Sequence, residues 1–313
     1  MLTCAAKRCG WLAVAALTGA IGACGGGESE ADAPAAADDG PPVVYTVNYP
    51  LQYFAQRIAG DIVRVVFPAP ADEDPAFWTP DAEIVAEYQA ADLVLLNGAG
   101  YAKWTSRVSL PNSRLVNTSS GLEDQLVRVE GTVTHAHGPA GEHAHEGTAF
   151  TTWLDPTQAI QQAEAIERAF SAAWPEHETS FREGLDSLRA DLLALDEQLS
   201  AALRPLHGRP LVASHPVYQY LVRRYDLNVE SVQWEPSEMP TTVMWRQFRE
   251  LLQEHPARVM LWEGEPSAAI AAELTLLEVL PVVFDQCGST PDEGDYLSVM
   301  WRNVENLGSA QPQ

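Results

Sequence analysis

Hydrophobic positions along this chain fall into short apolar runs on either side of a helical middle. Residues 43–47 (VVYTV), 62–67 (IVRVVF) and 93–96 (LVLL) have strand length, and amphipathic stretches at 51–58 and 79–91 separate them. Thr79 followed by Pro80 makes an N-cap and first-turn pair for the second of these helices, and Asn97 with Gly98 stops the third strand. Strand, helix, strand, helix, strand implies parallel pairing through crossover helices.

The middle has a different period. Residues 156–206 read as helix throughout, broken once at Trp174 and Pro175. In the second piece Phe181, Leu185, Leu188, Leu192, Leu193, Leu195, Leu199 and Leu203 recur near helical spacing. At about 1.5 Å per residue that piece spans about 40 Å, the length of a domain. Its heptad is too imperfect and too short for a coiled coil, so it is expected to brace two lobes. Alternation then resumes: strands at 211–213, 229–232, 259–262 and 282–284, helices at 218–225, 241–255 and 267–280, and a last helix at 296–307. The pattern predicts an α/β protein of two lobes, each a mainly parallel sheet flanked by helices, joined by one long linking helix. Ligands in such folds sit in the crevice outside the carboxyl ends of the strands.

The N-terminus adds an address. Lys7 and Arg8 precede an apolar run at 11–21, too short to span a bilayer and of signal-peptide size. It ends in Ile21, Gly22, Ala23 and Cys24, which looks like the lipobox of bacterial lipoproteins; an ordinary secretory signal cleaved near Ala23 is the other reading. The expected organisation is a signal peptide at 1–23, an acidic flexible tether at 24–42, an N-terminal lobe at 43–155, the linking helical segment at 156–206 and a C-terminal lobe at 207–313. Lipid on Cys24 would hold the protein on the periplasmic or extracytoplasmic face of a bacterial membrane. With Cys4 and Cys9 removed and Cys24 lipidated, Cys287 is the one thiol left in the folded part, so no disulfide framework within the chain is expected. Whether that thiol ligates a metal or is simply buried is open.

Composition changes little in this picture. Hydrophobic residues make up 46% of 313, enough for one large or two medium cores. A net charge of −24 argues against nucleic acid or anionic lipid as a partner and is compatible with attracting cations. No phosphate-binding glycine loop, nucleophile elbow or paired-carboxylate motif stands out, so nucleotide use by this chain is not expected.

Chemistry concentrates at 134–147 (THAHGPAGEHAHEG), where four of the chain's eight histidines lie within eleven residues. His135 and His137 form one His-x-His pair, His143 and His145 another, and the Gly-Pro-Ala-Gly between them favours a reversal that could bring the pairs together on a loop. Imidazole is the side chain that transition metals use most often, and it must be neutral to bind, so affinity of such a loop should fall below about pH 6. A solvated His-rich tract with weak affinity is the bland alternative.

Further residues carry a family likeness over 43–307. Ser214 and His215 after the LVA strand, Glu235, Pro236 and Ser237, Leu261, Trp262 and Glu263, Phe284 and Asp285, and the segment Trp153 to Pro156 together resemble the metal-binding lipoproteins of bacterial zinc and manganese ABC importers. The resemblance implies a non-catalytic receptor, a monomer, that binds one divalent ion between its lobes and passes it to a permease, with the ATPase a separate chain. Members usually use three histidines and one carboxylate. Here His215 and Asp285 match, but Ala76 (after Asp74 and Pro75) and Thr151 stand where two histidines are expected.

His145 lies six residues before Thr151, within about 20 Å of extended chain, so the histidines of the loop can be expected to replace the missing nitrogens. The competing role for the loop is to collect or deliver zinc. Glu146 and Glu263 are further ligands or partners that orient an imidazole. Phe77 and Trp78, beside the missing ligand, are expected to line and cap the cleft. Zinc is the expected ion, with manganese and copper open, although nitrogen ligands lean away from manganese. Two other classes compete: an adhesin or metal-chelate-binding protein on the same fold, and a metal-dependent hydrolase built on the His-x-His pair. The chain after His137 is too short for the rest of a hydrolase barrel.

Overall fold

The computed structural model describes residues 40–136 and 142–309, with the backbone alone for 130–136 and 142–146. In the first lobe β1 (Val43–Thr46) lies between β2 (Arg64–Val66) and β3 (Leu93–Leu96), and β4 (Leu115–Asn117) extends the edge, all parallel. Asn48 starts α1 (Tyr49–Ala59) by accepting the Leu51 N–H at 3.1 Å. For α2 (Ala82–Ala90) the expected start at Thr79 and Pro80 is corrected. The cap is Asp81, whose carboxylate accepts the N–H groups of Glu83 and Ile84, both at 3.0 Å, so one side chain satisfies two otherwise orphaned donors.

The His-rich segment expected as a loop is a β-hairpin. β5 (Arg128–Ala136) and β6 (Glu142–Thr148) pair antiparallel, with His135 opposite His143 and Val133 opposite His145. Val129 and Val133 with the threonines around them favour extended backbone, and that preference outweighs the glycine and proline signals until the reversal itself. His137 and the reversal lie outside the described residues, as do the side chains of His135, His143, His145 and Glu146 and everything up to residue 39, including Cys24.

The helical middle is two helices folded on each other. α3 (Pro156–Ala173) ends before Trp174 and Pro175, and α4 (Glu178–Leu203) packs back along it. At 26 residues α4 is about 39 Å long. Every member of its predicted apolar stripe is buried except Leu193, which is half exposed beside the stripe. α4 touches α1 of the first lobe and α8 (Tyr296–Ser309) of the second. Tyr296 also packs on Tyr53 and Phe54 of α1, with ring centroids 5.6 and 5.1 Å apart. One apolar core therefore runs through both lobes. Among the described residues no helix is long and apolar enough to cross a membrane.

Where α4 crosses α1 the backbones touch. A Cβ on Gly184 would sit 2.5 Å from the Ile58 carbonyl oxygen and 2.8 Å from that of Arg57. Backbone cannot swing away, so overpacking of up to about 3 kcal/mol outweighs the roughly 1 kcal/mol that alanine gains over glycine in a helix. Gly184→Ala is expected to lower stability by about 2 kcal/mol in urea denaturation.

The second sheet, β10 (Leu280–Val283), β9 (Val259–Trp262), β7 (Pro210–Ala213) and β8 (Asn228–Ser231) in that order, is again wholly parallel. Its crossover helices are α5 (Gln219–Tyr225), α6 (Thr242–Glu254) and α7 (Ala268–Leu276). α7 stops four residues short of the expected end at 280, because Glu278 turns to φ 58° and the chain enters β10 at Leu280. Pro281 is tolerated there because β10 is an edge strand.

Candidate metal centre

The strands of the second sheet deliver its chemistry at their carboxyl ends. β7 runs into Ser214 and His215, β9 into Glu263, β10 into Phe284 and Asp285, and the turn after β8 brings in Glu235. Ser214 donates its N–H to the Leu261 carbonyl at 2.8 Å and accepts the Trp234 N–H at 2.9 Å, which sets His215 between the other two segments. The first lobe faces them with Asp74, Tyr101 and Phe150, and the two walls enclose a cavity of about 400 Å³.

His215 is 2% exposed, and its ring stands between two carboxylates. Nδ1 stands 2.9 Å from Oε1 of Glu263 and Nε2 3.3 Å from Oε1 of Glu235. The second oxygen of Glu263 accepts the Gln286 amide at 2.7 Å. Asn303 on α8 clamps Asp285 through its backbone, accepting the N–H at 2.9 Å and donating to the carbonyl at 2.8 Å. Trp153 reaches from the start of α3 to the Gln286 carbonyl at 2.7 Å. On the other wall, the Asn97 amide donates to the Phe150 carbonyl at 2.9 Å, while its oxygen accepts from Asn48 and Gln162, both at 3.2 Å. These contacts give the cleft rigid walls drawn from both lobes.

The zinc-uptake family described as component A, periplasmic (ZnuA), matches residues 44–310. This chain belongs to the ZnuA family. The zinc-binding lipoprotein AdcA of Streptococcus pneumoniae is 26% identical over 286 residues, which cover 88% of this chain and 57% of AdcA. The chain thus spans little more than half the length of that relative. The high-affinity zinc uptake system protein ZnuA of Bacillus subtilis is 23% identical over 96% of this chain and 97% of its own. Among solved structures, Zn(II)-bound AdcA from S. pneumoniae superposes with a TM-score of 0.74 at 22% identity, covering 88% of this chain and 58% of AdcA. The lipoprotein YcdH from B. subtilis gives 0.73 at 20% identity, covering 87% of this chain and all of YcdH. The expected two-lobed α/β fold is therefore the fold of these proteins.

Among the described residues of this ZnuA-family chain, the cleft is richer in carboxylates than in imidazoles. Burial works against a charged ring at His215, but the hydrogen bonds and charges of Glu235 and Glu263 outweigh it and lift the imidazole from 6.5 to about 9. Burial also raises the Asp285 carboxyl, opposed by the Cys287 N–H that its Oδ1 accepts at 2.7 Å.

Of the residues expected at the site, His215, Asp285 and Glu263 come together at the cleft. Two others do not. Phe77 packs edge-on against Phe150 and lines an adjoining cavity with Ala76, Gly147 and Thr148, and Trp78 is buried against Trp104 in the first lobe's core. Phe77 and Trp78 join the first lobe's aromatic cluster and not the cleft lining, and the aromatic side chains that line the cleft among the described residues are Tyr101 and Phe150. Thr151 donates its hydroxyl to the Val217 carbonyl at 2.5 Å, a structural task in place of a ligand's. Cys287 is buried in the core, and burial pushes its thiol far above the ordinary range, which disfavours the thiolate a metal needs. Asp74, Glu235 and Asp292 line the cleft without having been singled out as ligands. The Asp-Pro and Glu-Pro pairs at 74–75 and 235–236 were the available signals. Among the described residues no three histidine, cysteine or carboxylate side chains converge on one point.

Proposed function

We propose that this chain is an extracytoplasmic receptor that captures a divalent transition metal ion, zinc, between its lobes and hands it to an ABC permease whose ATPase is a separate chain. Lipid on Cys24 would anchor it to the membrane through the acidic segment 24–42, and it would act as a monomer without catalysis. The observation that carries this reading is His215, a buried imidazole at a strand end, flanked by carboxylates and facing an interlobe cleft. Imidazole with carboxylate is a donor set that zinc accepts. Matched relatives are named for zinc binding and zinc uptake.

Two nitrogens are absent at Ala76 and Thr151, and the hairpin is the source we assign to them. β6 ends at Thr148, two residues before Phe150 on the cleft wall, so His143 and His145 sit on a strand rooted at the site's rim. His135 lies on the partner strand, opposite His143. Imidazoles drawn from this set, with His215 and Asp285, would complete a tetrahedral shell.

Titration of the full chain with zinc against a competing chelator at pH 7.5 tests the reading. A dissociation constant below about 1 µM is expected, and weaker binding overturns it. Replacing His135, His137, His143 and His145 together by alanine is expected to weaken zinc binding roughly tenfold or more. Unchanged affinity would give the hairpin a collecting role instead.

A further inference from the structure

We infer that Glu235 donates a carboxylate oxygen to the bound ion beside His215, while Glu263 positions the imidazole without touching the ion. The inference rests on the ion-receptor reading above and assigns roles within that site.

Two neighbouring donors in a tetrahedral shell, each about 2.0–2.1 Å from zinc, are about 3.3 Å apart. Nε2 of His215 and Oε1 of Glu235 are 3.3 Å apart. One zinc ion can therefore bond both atoms with the two side chains left where they are. Across the ring, Nδ1 and Oε1 of Glu263 are 2.9 Å apart, an ion-pair distance shorter than an edge of that tetrahedron. Glu263 is also engaged at its other oxygen by the Gln286 amide. An imidazole with one nitrogen on a braced carboxylate and the other turned to the ion is the arrangement that fixes ring orientation and raises ligand basicity.

The backbone supports the same division of labour. Pro236 restricts Glu235 to extended conformations, and the Pro236 carbonyl accepts the Ser267 N–H at 2.8 Å at the start of α7. Glu235 and Pro236 both line the cavity, so the carboxylate is presented from a fixed segment. The second lobe would then contribute the His215 nitrogen and oxygens of Glu235 and Asp285, and the remaining corner of the shell faces the first lobe, where the hairpin is rooted.

Cobalt(II), whose visible bands report its donor set, and zinc are the probes for the full chain and its variants. Glu235→Gln is expected to shift the cobalt bands and to weaken zinc binding at least tenfold. Glu263→Gln is expected to weaken binding while leaving the band positions close to wild type. If Glu235→Gln does not fold, judged by circular dichroism, Glu235→Asp, which withdraws the oxygen by one methylene, is expected to shift the bands as well. A wild-type spectrum and affinity in the Glu235 variants, with the bands moved by Glu263→Gln, overturns the assignment and leaves Glu235 a structural ion-pair partner. Should the wild-type chain take up neither metal, the receptor reading falls and this inference with it. Tight wild-type binding indifferent to Glu235 sinks the inference alone.

Discussion

Replacing His215 by alanine is expected to lower zinc affinity roughly a thousandfold, beyond the ten- to hundredfold that follows loss of a residue that only orients a ligand. Three effects add. The ion loses a nitrogen donor from a cleft where described side chains otherwise offer oxygen. Glu263 loses the ring at 2.9 Å and Glu235 the ring at 3.3 Å, so two carboxylates face each other across the vacated volume. Their mutual repulsion favours a cation in principle, but they would have to move to hold it, and both are braced from the backbone or by Gln286. Competition titration with a zinc chelator reads the change directly, and His215→Gln, closer in volume, separates ligand loss from a cavity effect. Zinc affinity within a few-fold of wild type in both variants would remove His215 from the centre.

The second large effect is on pH. In the metal-free protein the His215 imidazole titrates near 9, so at pH 7 it carries a proton that zinc must displace. Competition between proton and ion then makes apparent affinity rise by roughly fiftyfold from pH 7 to pH 9, with about one proton released per zinc bound near neutrality. The stability of the metal-free fold moves the opposite way. Because the folded value lies above the unfolded 6.5, the contribution of this group is full below about pH 6.5 and is lost as pH rises through about 9. The rise in melting temperature on adding saturating zinc should therefore grow steadily across that window. Calorimetry in buffers of different ionisation enthalpy counts the proton, and a flat affinity between pH 7 and pH 9 would contradict a buried, carboxylate-paired ring as the zinc ligand.

Regular elements were legible in this chain to the extent that burial decides them. β3 and β9 coincide with the apolar runs at 93–96 and 259–262, because strands covered on both faces tolerate few polar positions. The long helix showed itself through a stripe from Phe181 to Leu203 that the core covers. Elements with less to bury were harder to see. β4 has three half-buried or exposed residues at a sheet edge and leaves almost no pattern. The hairpin at 128–148 carries turn residues and histidines that mask its threonines and valines. Helix ends moved by a residue or more wherever a cap chose between neighbours, as Asp81 did over Thr79.

The site divides in the same way. His215, Glu263 and Asp285 stood out because each follows a strand, and the crevice beyond parallel strand ends is where such folds bind ligands. Glu235 and Asp74 were marked only as parts of family-like segments and not as cleft carboxylates, since a carboxylate in a loop has no period and its neighbours are set by the turn that carries it. Phe77 and Trp78 were placed at the cleft by their distance along the chain from a missing ligand, whereas the aromatic cluster with Phe150 and Trp104 draws them elsewhere.

Sequence by itself determined the alternation of strands and helices, the brace between lobes and the residue types available to meet a metal, because those follow from local hydrophobic period and chemistry. Only the tertiary structure decided which carboxylates stand against the His215 ring, and at what distance. Residues 215, 235, 263 and 285 arrive from four strand ends, and their separations depend on how β7, β8, β9 and β10 are ordered in the sheet rather than on anything in a single segment.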